Sequence, residues 1–143
     1  MPYALLNYHL IWHTKFSRPM ITENIEHRIH GAIRAKAISL GGKVYRIGGI
    51  EDHVHVLTTI PPSISVSSFV GQIKGNSAHF TNTVLGLNEP FVWQRSFGAI
   101  TFRYAELERL IQYVKRQRAH HRNKHPLEYL EAHELESRLQ ISD

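Results

Sequence analysis

Apolar residues recur along this chain with two periods, one helical and one of the strand type. Ile25, Ile29, Ala32, Ile33 and Ala37 follow the spacing of one helix face. Thr22 is a good N-cap before them and Gly41-Gly42 stops the run, so the pattern predicts a helix over about 22–40. Phe69, Val70, Ile73 and Phe80 repeat the spacing and predict a second helix from Ser65 to about Val84. Gly75 is a weak point inside it, costing about 1 kcal/mol against Ala. Leu107, Leu110, Ile111 and Val114 form the stripe of a third helix, predicted from Tyr104 to about Asn123 and bounded by His125-Pro126.

The intervening segments carry β-formers and turn residues instead. Tyr3 to Phe16 reads as a first strand ended by Ser17-Arg18-Pro19. Lys43 to Gly48 and Asp52 to Ile60 read as two strands joined by a tight turn, with Pro61-Pro62 closing the second. Phe91 to Phe102 reads as a last strand with a break near Gly98. The order is β-α-β-β-α-β, then a helix. It predicts an α+β, ferredoxin-like split βαβ fold, an antiparallel sheet with helices packed on it. That fold hosts many functions, so function must be read from a site.

Composition narrows the chemistry. The 143 residues fit one domain, and 42% hydrophobic content is enough for a core. With no cysteine there is no disulfide framework, thiolate metal site or cysteine nucleophile. That usage is compatible with a reducing cytoplasm, where the chain is expected. No apolar run reaches the roughly 18 to 20 residues of a membrane span, and MPYALLNYHLIW lacks a signal peptide's basic start. The formal net charge of +5 is unevenly placed. Residues 1–125 hold 16 Lys and Arg against 7 Asp and Glu, whereas residues 126–143 hold 1 against 5. We therefore expect a basic domain over 1–125 and an acidic tail over 126–143. A basic body suits a soluble protein generally, and a nucleic acid partner in particular.

The candidate chemistry begins at Asp52-His53-Val54-His55-Val56. Strand side chains alternate, so His53 and His55 share one face while Val54 and Val56 take the other. Two imidazoles on one face can grip a divalent cation, although 11 histidines produce such a pair easily by chance. Tyr113 and Gln117 are one helical turn apart on the third helix. A tyrosine oxygen can attack phosphorus, but its ordinary pKa of about 10 calls for help from nearby charge or a metal. Around it stand Lys115, Arg116, Arg118, His120, His121, Arg122 and Lys124, with no acid among them. Charge runs are usually solvated faces; after a candidate nucleophile, a phosphate-binding track explains this one better. Trp12, Phe16, Trp93 and Phe97 have the chemistry to stack on bases, and core packing is the expectation for each.

Together these residues resemble the single-tyrosine HUH transposases of the insertion sequence 200/605 group and their REP-associated relatives. The resemblance runs through Trp12-His13-Thr14-Lys15-Phe16-Ser17-Arg18-Pro19, His53-Val54-His55, Gln72-Ile73-Lys74-Gly75-Asn76-Ser77, Val92-Trp93-Gln94-Arg95 and Tyr113-Val114-Lys115-Arg116-Gln117. Phe16 stands where a tyrosine is common. The resemblance implies a homodimer that cuts and rejoins single-stranded DNA at hairpin-bearing ends, the tyrosine helix of one subunit serving the histidine pair of the other. It implies Mg²⁺ or Mn²⁺ held by His53, His55 and Gln117, and Tyr113 as a nucleophile that becomes linked to the 5′-phosphate. The imidazoles by themselves would equally suit Zn²⁺, Ni²⁺ or Co²⁺.

Other readings fit the same residues. A domesticated REP-associated relative would keep the chemistry but act on scattered palindromes rather than paired element ends. A non-catalytic binder of structured nucleic acid would present stacking aromatics on an open sheet face. A metallohydrolase using only the histidines would cleave without a covalent intermediate.

Overall fold

The computed structural model describes residues 5–117. Strand β1 spans Asn7–His13, helix α1 Glu23–Ser39, strands β2 and β3 Val44–Ile50 and His53–Thr59, helix α2 Val66–Val84, strand β4 Gly98–Thr101 and helix α3 Leu107–Lys115. The strands form one antiparallel sheet in the order β2-β3-β1-β4. This is the expected ferredoxin-like βαββαβ arrangement with a third helix added.

The sheet has two covered faces. On the first, Leu10, Trp12, Val54 and Val56 meet Ile25, Ile29, Ile33 and Ala37 of α1 and Phe69, Val70 and Ile73 of α2. The four α1 residues are the stripe read from spacing, each one turn from the last. Ser65 caps α2, its side chain accepting from the Ser68 amide at 3.1 Å, as an N-cap serine does. On the second face, Leu57 packs with Leu107 and Val114, flanked by Tyr45, Phe102, Leu110, Ile111 and Tyr113.

Four expectations change. The first strand is shorter than Tyr3 to Phe16, because Lys15–Ser17 turn into a 3₁₀ segment after β1. The Phe91 to Phe102 strand reduces to β4, with only Trp93 paired ahead of it, to Thr14. Between them, backbone carbonyls of Gln94 and Ser96 accept from the Lys74 ammonium rather than from a neighbouring strand. Strand β2 continues past Gly48 to Ile50, so the turn falls at Glu51-Asp52. The third helix starts after a 3₁₀ turn at Tyr104–Glu106. Its expected continuation to Asn123 and the tail over 126–143 lie outside the described residues.

Candidate active site

Register brings the histidines together. His53 pairs with His13 and His55 with Ile11, so His9, Ile11 and His13 of β1 face the same way as His53, His55 and Leu57 of β3. His53 and His55 are buried, at 4% and 2% exposure. Buried imidazoles need partners, and each has one on its Nδ1. Asp52 Oδ1 lies 2.7 Å from His53 Nδ1, and His9 Nε2 lies 2.9 Å from His55 Nδ1. His13 stacks on His53 with ring centroids 4.9 Å apart.

Helix α3 closes over this row on its own chain. Its apolar stripe packs against Leu57 and Tyr45. Gly48 decides how close it comes: a Cβ there would lie 2.6 Å from the Val114 carbonyl oxygen and 2.7 Å from its side chain. The bare backbone at Gly48 therefore lets the end of α3 sit directly on β2. The ring of Tyr113 meets His55 edge-on at 5.6 Å and His9 at 6.3 Å. Gln117, one residue past the C-cap of α3, is buried at 1% exposure. Its Nε2 donates to the Tyr113 carbonyl at 3.3 Å, and its Oε1 lies 3.3 Å from His53 Nε2. Sequence spacing anticipated Tyr113 and Gln117 on one side of one helix, and they do lie together. Within this chain, Leu107 and Val114 are buried against the chain's own Leu57, which holds the helix in place.

The donors suit a divalent cation. Asp52 accepts from the Nδ1–H of His53, which turns the lone pair of Nε2 towards Gln117 Oε1. Two electron-pair donors about 3.3 Å apart have the separation of neighbouring ligands on one small ion, each bonded at about 2.1 Å. The hydrogen bond at His55 Nδ1 likewise leaves Nε2 as the ligating nitrogen of that ring. A second group, His13, Asp52 and His53, also gathers its donor atoms within 4.8 Å. There the Asp52–His53 contact is a hydrogen bond at 2.7 Å, so we assign Asp52 to orienting the ring rather than to holding an ion. Burial pushes the His9 imidazole from its usual 6.5 down to about 4, so it is neutral at neutral pH. In the tautomer that leaves His55 Nε2 for a cation, the neutral His9 accepts at Nε2 from the Nδ1–H of His55.

Residues 2–117 match the sequence profile of the family described as "Transposase IS200 like". The chain belongs to the IS200-like transposase family. It is 32% identical over 73 residues to the ISDra2 transposase TnpA of Deinococcus radiodurans, covering 51% of this chain and 52% of that protein. It is 26% identical over 101 residues to a transposase for insertion sequence element IS200 of Salmonella typhimurium, covering 71% of this chain and 59% of that protein. The chain thus spans between half and three-fifths of the curated relatives it matches. A crystal structure of a putative transposase from Deinococcus radiodurans superposes with a TM-score of 0.65 at 25% identity, covering 81% of this chain and 93% of that one. The structure of a REP-associated tyrosine transposase bound to a REP hairpin superposes with a TM-score of 0.63 at 17% identity, covering 85% and 72%, which shows a shared fold.

In this IS200-like transposase, Lys115 and Arg116 are exposed at the end of α3. Arg118, His120, His121, Arg122 and Lys124 lie outside the described residues. Of the four aromatics named as possible stacking groups, Trp12 and Trp93 are core residues and Phe97 packs against the core. Phe16 is the correction: it is 77% exposed. Sequence reasoning passed over His9 and gave His13 no role at the site. The signal was there, since they stand four apart on a strand and so share a face, but nothing local said which face met His53. Among the described residues no helix is long and apolar enough to cross a membrane.

Proposed function

We propose that this IS200-like transposase cuts and rejoins single-stranded DNA at hairpin-bearing ends, with Tyr113 as its nucleophile. One observation carries the reading: Tyr113 and Gln117, a turn apart, lie against His55 and His53 on one face of the sheet. A tyrosine set beside a potential cation site suits attack on phosphorus better than it suits packing. In the reaction, Tyr113 Oη forms a bond to the scissile phosphorus and the bond from phosphorus to the 3′-oxygen breaks. The phenolic proton is lost and the departing 3′-oxygen gains one, giving a 5′-phosphotyrosine and a free 3′-OH. Attack by another strand's 3′-OH reverses the step and rejoins DNA without ATP.

His53, His55 and Gln117 would hold Mg²⁺ or Mn²⁺, which when bound polarises the phosphate oxygens and orients the scissile group. Asp52 and His9 hold the two imidazoles in their ligating tautomers. Lys115 and Arg116 are exposed two and three residues past Tyr113. Together with Arg118, His120, His121, Arg122 and Lys124 they supply phosphate contacts. The protein acts as a two-fold homodimer in the cytoplasm, each subunit handling one cut end.

The test replaces one oxygen. Tyr113→Phe keeps the ring and its packing, so fold and DNA binding survive while cleavage and adduct vanish together. The assay is a denaturing gel of full-length protein with hairpin-bearing single strands from its own flanking DNA and Mn²⁺. A denaturant-stable adduct with the Phe variant would move the nucleophile elsewhere. Cleavage without any adduct would make the reaction a hydrolysis.

A further inference from the structure

The turn after β1 has three unusual features that the strand-transfer chemistry leaves unused. Phe16 and Ser17 both adopt left-handed backbone conformations, with φ of 57° and 52°. Few non-glycine residues do so, and a bulky one least of all. Strained backbone persists only when its surroundings over-determine it, and it concentrates at functional sites. Here the anchoring is visible. The Thr14 hydroxyl donates to the Arg18 carbonyl at 2.6 Å, the Thr14 amide to Asp52 at 2.8 Å and the Lys15 amide to Val92 at 2.9 Å.

The strain serves to push an aromatic ring outward. Phe16 is 77% exposed, the most open of the large hydrophobic side chains among the described residues. Two cations attend it, with Lys15 Nζ 5.4 Å and the Arg18 guanidinium 5.9 Å from the ring centroid. The turn is also tied to the histidine row. Ser17 Oγ lies 3.4 Å from His13 Nδ1, and His13 stacks on His53. A rigid, exposed ring between two cations is the element with which single-stranded nucleic acid is held, the ring stacking on a base and the cations meeting the flanking phosphates.

We infer that Phe16, with Lys15 and Arg18, is a base-stacking post that holds one unpaired nucleotide of the DNA strand entering the His53–His55 site. The inference rests on the strand-transfer reading for its ligand, a single-stranded DNA segment. The left-handed turn fixes the backbone that carries the ring before DNA arrives, which lowers the ordering cost met on binding.

The experiment uses the full chain in chelator, with a fluorescent DNA hairpin carrying a single-stranded oligothymidylate tail. The control is the same hairpin with an abasic tail, which keeps the phosphates and removes the bases. Wild-type protein should bind the thymidylate tail roughly 10-fold tighter than the abasic one, as expected for one stacked base. Phe16→Ala should erase that difference while leaving abasic-tail affinity unchanged, and Phe16→Trp should keep it. A Phe16→Ala protein that still prefers the thymidylate tail overturns the inference, as does wild-type protein with no preference. Loss of dimer in Phe16→Ala with the tail preference intact assigns the ring to a contact between copies and also overturns it. These failures are separable from failure of the strand-transfer reading, because wild-type adduct formation with Mn²⁺ is scored independently. Wild-type protein that binds neither hairpin and forms no adduct fails both.

Discussion

The two faces of the sheet are built from the same strands to opposite ends. Below β1 and β3 lie Leu10, Trp12, Val54 and Val56, sealed by two long helices with apolar stripes. Above the same strands lie His9, His13, His53 and His55, covered by the nine-residue α3 and a small cluster around Leu57. The first face removes apolar area from water and carries the fold. The second holds four imidazoles, of which His9 is held neutral by burial. Alternation in two strands is enough to separate these tasks, because each residue's neighbours in sequence point the other way. Stability and chemistry can therefore be altered one face at a time.

The sharpest break of that separation is on the upper face. His53→Ala or His55→Ala should lower cleavage by about three orders of magnitude, the several kcal/mol that a bound cation supplies. Hairpin affinity and thermal midpoint should change little. Gln117→Ala should be milder, because water can take its place on a hard cation. On the lower face, Ile29→Ala should cost about 2–5 kcal/mol of stability while leaving the rate per folded molecule intact. Denaturant melts paired with single-turnover cleavage would distinguish the two patterns. If Ile29→Ala slowed chemistry as strongly as His53→Ala, the faces would not be independent.

Acid offers a second way to sharpen the contrast. His9 is neutral in the folded protein down to about 4, while the unfolded chain takes up its proton near 6.5. Its folded pKa is depressed, so stability is full above 6.5, falls as the pH drops from 6.5 through about 4, and levels below that. The loss at the bottom of this window is about 3 kcal/mol. Urea melts at a series of pH values should show the slope in wild type and a flatter curve in His9→Gln. An unchanged slope would place the acid sensitivity on another group.

A smaller effect should come from Gly48, which sets how closely α3 sits on the histidine face. In Gly48→Ala the added methyl meets the Val114 carbonyl, so the helix end must rise by several tenths of an ångström. Displacements of about 1 Å can cost about 100-fold in rate, so a loss of ten- to a hundredfold is expected with the fold retained. Cleavage at the wild-type rate would show that the depth of α3 does not matter.

Much of this fold is legible in the sequence. Periodicity placed α1 and α2 within a residue at each end, since a helix with a full apolar stripe and a clear start signal leaves little choice. Period two set His53 and His55 on one side with Val54 and Val56 opposite. Spacing of four set Tyr113 beside Gln117. The residues of Phe91 to Phe102 favour a strand, yet most of the segment makes its hydrogen bonds with Lys74, Asn82 and His13, partners no local rule identifies.

What the sequence by itself determined was therefore local: which segments are helix or strand, and which side chains share a side. Those follow from repeat geometry over a few residues. The tertiary structure decided which sides meet. It put His9 against His55, 46 positions away, and Gln117 against His53, 64 positions away. It also turned Phe16 out of the core by an anchored left-handed turn. Contacts across such separations depend on how whole faces pack. A bare backbone at Gly48 and a register between β1 and β3 settle them, and neither can be seen from the residues they bring together.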